Sequence, residues 1–283
     1  MRPVAEQGFR GLIRRHPVAA FLVWFFVVGQ LLAVTPLVLD ARGTTVPHQP
    51  FIVAATLIGL LLPALVITAV TDGRDGVRRL MDSALRFRAG LGWYLLAVVA
   101  IPLGAFLVTM LFTGLPTATS ADAITDALVA GLLWQFVLTF LPNNWWEEVA
   151  WMGFVQTRLE ERHRVWAAAA ITGVLFALQH ITLVVGSGPV GAVVLMGVLI
   201  LLAIPFRFLI GWVFHRTGSL FVVGLVHAMG NAATGGSGFG EGMLPRLYPG
   251  RDGVPFMAHL ITFAVLGLIV VIATRGRLGT SRD

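Results

Sequence analysis

Apolar residues run along this chain in long blocks. They show neither the alternation of a half-buried strand nor the narrow stripe of a surface helix. Eight blocks are visible, at roughly 18–39, 51–70, 91–112, 124–153, 165–185, 190–214, 219–234 and 255–274. A membrane-crossing helix takes about 20 apolar residues. The pattern therefore predicts an all-α polytopic membrane protein, a bundle of eight transmembrane helices, with residues 1–283 forming a single transmembrane domain. The first block follows Arg2, Arg10, Arg14 and Arg15. It is longer than the roughly 7–15 apolar residues of a cleavable signal, so it reads as a retained span. The fourth block contains Pro142, Asn143 and Asn144. Proline removes a backbone donor, so a helix break is expected there, with Glu147 near the first turn of a new helix whose positive end offsets its burial. Trp145 and Trp146 read as an anchor at the membrane interface.

Composition narrows the picture. Hydrophobic residues make up 57% of the 283 and charged residues 12%, about half the charged share of a soluble domain. A soluble globule and a disordered chain are both excluded. No internal repeat is visible, which argues against a transporter built from inverted halves. Net charge is +6. All basic residues are Arg, and they flank the apolar blocks, which points to membrane orientation and away from nucleic acid. Alternating spans put sixteen Arg on one side: four in the N-terminal tail, Arg74, Arg78, Arg79, Arg86 and Arg88 in the second connection, Arg158, Arg162 and Arg164 in the fourth, Arg216 in the sixth and three in the C-terminal tail. Arg42, Arg246 and Arg251 fall on the other side, and Arg207 lies inside the sixth block. Both termini are expected in the cytoplasm of a multi-pass protein of a bacterial plasma membrane. The absence of Cys excludes a disulfide, a thiolate nucleophile and a Cys-ligated metal.

Few polar side chains fall inside the blocks, and an ionisable group there costs about 2.5–3.5 kcal/mol on insertion scales. Glu147 and Glu148 sit in the fourth block, His180 in the fifth, His227 and Asn231 in the seventh and His259 in the eighth. Counting helical rise from the cytoplasmic ends puts Glu148 about 15 Å deep, His227 about 13 Å and His180 about 22 Å. A shared buried cavity follows, expected to open toward the cytoplasm. A desolvated carboxylate is a usable general base, an imidazole can orient water or bind a metal, and an amide can donate to an oxyanion. Together these groups suit water attack on a peptide carbonyl. A single buried His in a bundle can equally be a hydrogen-bonding member of a helix interface.

Three strings sharpen this. NNWWEEVAWMGF holds Glu147 and Glu148, FALQH holds Phe176 and His180, and HAMGN holds His227 and Asn231. In this order and spacing they resemble the CPBP family of intramembrane proteases, which includes the type II CAAX prenyl proteases (the Abi family), through its E-E-x-x-x-R, F-x-x-x-H and H-x-x-x-N motifs. The resemblance covers about 125–235, read as the catalytic core. It implies an intramembrane endopeptidase in which Glu147 activates water with help from His180, Glu148 is the partner of Glu147, and His227 and Asn231 bind the oxyanion. The motif arginine is Met152 here. That leaves the carboxylates without the expected counter-charge and inclined to keep a proton, and puts activity in question.

Glu147, Glu148, His180 and His227 could hold Zn²⁺ or another divalent metal, and a metal-free glutamate mechanism is equally compatible with them. No H-E-x-x-H occurs. The expected partners are the lipid bilayer and a peptide or protein substrate reaching it, with no nucleic acid. Three other readings compete. One is a serine protease using Ser237 of a Gly-rich loop with His259. Another is an immunity or interaction protein that kept the fold and lost catalysis. The third is a transporter using the Glu pair as a proton relay.

Overall fold

A computed structural model describes residues 8–236, 238–251 and 253–280. Among them every regular element is helical. After a short helix at Phe9–Arg15, seven helices are long and apolar enough to cross a membrane: α1 Pro17–Ala41, α2 Gln49–Ala84, α3 Leu91–Thr113, α4 Ala121–Glu160, α5 Val165–Leu183, α6 Gly188–Thr217 and α8 Gly253–Ala273. Between α6 and α8 stands α7, Leu220–Thr234, an apolar helix of 15 residues. The expectation of eight apolar helices is met, but α7 is about 22 Å long at helical rise and too short to cross the hydrocarbon layer unaided. Its shortness fits its place. All of its residues except Phe221 and Asn231 are buried, and it packs against α3, α4, α6 and α8. The bundle therefore has a helix at its centre that meets protein on every side.

Caps define the limits of α7. Ser219 accepts a hydrogen bond from the Val222 amide at 3.1 Å, and Gly235 closes the helix in the left-handed conformation (φ 76°). Around it the outer helices turn apolar side chains such as Leu31, Leu111, Val190 and Ile272 outward, as a lipid-facing surface requires. Small residues set the tightest crossings. A Cβ on Gly59 would lie 2.5 Å from the Gly29 Cα, and one on Gly267 would lie 1.8 Å from the Pro205 carbonyl oxygen. These are close helix approaches of the kind membrane interiors favour.

The expected break in α4 does not occur. The helix is continuous through Pro142, which sits in a π-helical turn at Phe140–Asn144. The proline ring lacks an N–H and crowds the carbonyl four residues back. A π-turn adds one residue to the local register and absorbs that misfit without ending the helix. Neighbouring donors support it: the Trp146 indole donates to the Leu141 carbonyl at 2.8 Å, and the Thr56 hydroxyl bonds the side-chain oxygen of Asn143. Trp145 and Trp146 are thus packing residues in the middle of a continuous helix. Trp145 stacks on Phe140 with centroids 5.3 Å apart and donates to the Ala84 carbonyl at 3.0 Å.

Both ends of the described chain lie at one end of the bundle. Arg14 donates to the Val70 carbonyl at 3.0 Å, and the Leu278 carbonyl meets His215, near the end of α6, at 3.0 Å. The Arg distribution predicts that reporter fusions after Arg79, Arg164 and Arg277 read as cytoplasmic and those after Arg42 and Arg246 as external; a cytoplasmic signal at Arg246 would overturn this topology. At the α6–α8 crossing, Gly267→Leu should lower stability by about 1–3 kcal/mol through overpacking, measured as the thermal midpoint in detergent.

Candidate active site

Two crossings place the polar residues. α4 approaches α7 so closely that a Cβ on Gly224 would sit 2.9 Å from the Trp145 Cα. That proximity lets the His227 imidazole reach the Glu148 carboxylate, Nδ1 to Oε1 at 3.0 Å. Consecutive helical residues point about 100° apart, so Glu147 and Glu148 face different surroundings. Glu147 borders a cavity of about 330 Å³. Glu148 is fully buried and lies behind that wall.

Glu147 is held by two side-chain amides. Gln179 donates to its Oε1 at 2.6 Å, and Asn144 donates to its Oε2 at 2.8 Å. Gln179 is fixed in turn by the Trp151 indole, which donates to its side-chain oxygen at 2.5 Å. Asn144 also accepts from the Asn231 amide at 3.1 Å, and its nitrogen lies 3.5 Å from His227 Nε2. His180 stands where α5 tightens into a 3₁₀ turn. Its Nδ1 faces the Phe176 carbonyl at 3.0 Å, an acceptor, so Nδ1 carries the proton and Nε2 keeps a lone pair. Glu147, His180, His227 and Asn231 line the same cavity, with Gln30, Asn143, Asn144, Gln179 and His259. Glu148 alone of the expected set does not.

Glu148 faces a cation that the expected motif does not contain. Arg207 of α6 places its Nη1 2.8 Å from one oxygen of Glu148 and 3.1 Å from the other. The guanidinium is also fully buried. Its Nε and Nη2 both donate to the Gln156 side-chain oxygen at 3.2 Å, and it lies 5.6 and 5.8 Å from the ring centroids of Phe176 and Phe206. The counter-charge expected at position 152 is therefore present, supplied by another helix. From Gln156 the polar chain continues to Glu160 at 3.1 Å and from Glu160 to His215 at 2.9 Å, which brings it to the end of the bundle that holds the termini.

The cavity extends toward the opposite end. Its lining reaches His48, Gly236 and Gly238 of the far connections and includes no residue from the connections near the termini. No lining residue lies on the termini's side, where the opening is expected, because much of the lining comes from the C-terminal halves of α1 and α5 and the N-terminal half of α8. Much of the remaining wall is apolar, with Pro36, Leu37, Ile52, Leu183, Leu199 and Leu260. One polar atom on it is unsatisfied: the side-chain oxygen of Gln30 has no partner among the described residues, while its nitrogen donates to the Gln179 carbonyl at 2.8 Å.

Three of the four side chains suggested as metal ligands are engaged with protein partners in this arrangement. Both oxygens of Glu147 already receive amide donors, Glu148 is committed to Arg207, and His227 Nδ1 to Glu148. No group of three or more His, Asp or Glu side chains among the described residues is arranged to hold a metal. His259 borders the cavity but bonds Thr234, Nδ1 to Oγ1 at 3.3 Å; Ser237 lies outside the described residues.

Residues 129–233 match the family model of type II CAAX prenyl endopeptidase Rce1-like proteins. The matched segment runs from α4 to the end of α7 and holds Glu147, Glu148, His180, His227, Asn231 and Arg207. That family implies an intramembrane protease. No curated protein matches the chain.

Asn144, Gln179 and Arg207 escape a motif search. The first two sit beside motif residues, and being polar inside apolar blocks is their sole sequence signal. Gln179→Leu leaves the Trp151 indole and one Glu147 oxygen buried without a partner. It should cost about 1–3 kcal/mol, checked by thermal denaturation against wild type.

Proposed function

We propose that this protein is an intramembrane endopeptidase that hydrolyses a peptide bond in a membrane-associated peptide or protein. One observation carries the reading: a carboxylate, two imidazoles and an amide from three helices share one largely apolar cavity. Glu147 accepts a proton from water as the water oxygen bonds to the scissile carbonyl carbon. The Nε2 lone pair of His180 offers the second acceptor that orients that water. The carbonyl oxygen becomes an oxyanion beside Asn231, whose amide has one N–H to spare after bonding Asn144. His227 joins as a donor when it is protonated at Nε2, and Glu148 stabilises that cation. The tetrahedral species collapses with cleavage of the C–N bond, and the proton on Glu147 passes to the leaving amine. This sequence needs no metal. Gln30, with its free acceptor on the wall, suits a backbone N–H of the bound peptide.

The apolar lining favours a substrate segment with bulky hydrophobic side chains. With the termini in the cytoplasm, the cavity would admit it from the external face. The catalytically impaired alternative drew on the missing motif charge, and Arg207 removes that support.

The test is cleavage of a peptide library by purified protein in detergent, read by mass spectrometry. Glu147→Ala should still express and fold, because the burial cost relieved by an apolar replacement offsets the donors it frees on Gln179 and Asn144, and should cleave nothing. His180→Ala and His227→Ala should each reduce cleavage by about 100-fold or more. Wild-type rates from Glu147→Ala on a confirmed substrate would overturn the proposal.

A further inference from the structure

Arg207 belongs to no motif, yet it is the one fully buried cation among the described residues, and its contacts are specific. Met152 is also fully buried. Glu148 lies four residues before it and Gln156 four residues after it, so all three share a face of α4. The guanidinium bonds both Glu148 and Gln156. It therefore occupies the space beside Met152, where a long basic side chain at position 152 would project. The next link is His227. Glu148 Oε1 receives Nη1 of Arg207 at 3.1 Å and lies 3.0 Å from His227 Nδ1. A carboxylate oxygen only accepts, so the imidazole proton is on Nδ1. That leaves Nε2 with its lone pair facing the cavity, where Asn144 approaches at 3.5 Å.

We infer that Arg207 is a positioning residue: it holds Glu148 as a carboxylate, and Glu148 in turn fixes the tautomer and orientation of His227. Without the guanidinium, Glu148 can take up a proton and donate through it, and the His227 proton is then free to move to Nε2. The inference rests on the proposed hydrolytic role of His227, but its main readout does not require turnover.

The experiment records ¹⁵N spectra of histidine-labelled protein in nanodiscs, with His227→Gln used to assign the signal. Wild type is expected to show a single His227 tautomer protonated at Nδ1. Arg207→Met should show a mixture or the Nε2 tautomer, and, because a protonated Glu148 no longer stabilises the His227 cation, its cleavage of a library peptide should fall by about 10- to 100-fold. The double variant M152R/R207M returns the charge to the same carboxylate from α4 itself, and should restore both the single tautomer and the rate. Where R207M alone does not fold, E148L/R207M, which removes both members of the ion pair, takes its place and should fold with the tautomer preference lost. A wild-type His227 signal in R207M or E148L/R207M overturns the inference, as does an M152R/R207M protein that fails to fold or to restore the signal. If wild type cleaves no peptide, the hydrolytic reading fails, while the tautomer result still decides this one.

Discussion

The arrangement depends on the difficulty of placing charge inside a bilayer. A carboxylate withdrawn from water loses several kcal/mol of solvation, and only a well-aimed partner with satisfied hydrogen bonds restores it. Glu148 obtains that partner from α6, so the positions of α4, α6 and α7 are tied to one ion pair. Removing one member leaves a buried charge uncompensated, which typically costs about 3–5 kcal/mol. The neighbouring glutamate is treated differently. Glu147 is held by neutral amides from Gln179 and Asn144, which position it without cancelling its charge. Two adjacent residues of one type thus receive opposite treatment: one is neutralised and structural, the other polarised and open to the cavity.

Aromatic side chains complete the shell. Phe176 packs edge-on to His180 and His227, with centroids 4.9 and 5.7 Å apart, and its face lies toward Arg207. Phe206 meets both His227 and Arg207. Rings suit this place because their edges and faces interact weakly with imidazole and guanidinium while excluding water. The second motif's Phe176 therefore acts as a wall between the reactive face and the ion pair behind it. With few rotatable bonds, such a wall holds its neighbours with little conformational freedom to lose.

Much of this was legible in the sequence. Eight apolar blocks became eight apolar helices, seven of them long enough to cross a membrane, because block length and hydrophobicity decide membrane crossing almost alone. Glu147, His180, His227 and Asn231 were readable as polar groups that had to find each other at membrane depth. What could not be read depends on geometry across helices. Pro142 suggested a break, but whether a proline ends a helix or sits in a π-turn depends on partners such as Trp146 and Thr56, which no local pattern specifies. Met152 suggested a lost charge, because a motif is written along one segment while electrostatics acts through space. The reach of the cavity toward the far connections is likewise invisible to a count of helical rise, which ignores which helix faces leave room between them.

The pairing of Glu148 with Arg207 also bears on how the chain is assembled. The two residues belong to separate helices with α5 between them, so α4 must pass into the membrane before its counter-charge has been synthesised. Its mean hydropathy of 1.7 is lower than the 2.7 of α6, which carries Arg207. Until the two meet, each holds an unmatched charge costing about 2.5–3.5 kcal/mol. The later helix is apolar enough to bear that cost by itself; the earlier one is helped least by its own composition. Docking of α6 against α4 is therefore the step that commits the nascent bundle to its final form, and an insertion intermediate stalled before α6 arrives would be the species most exposed to quality control.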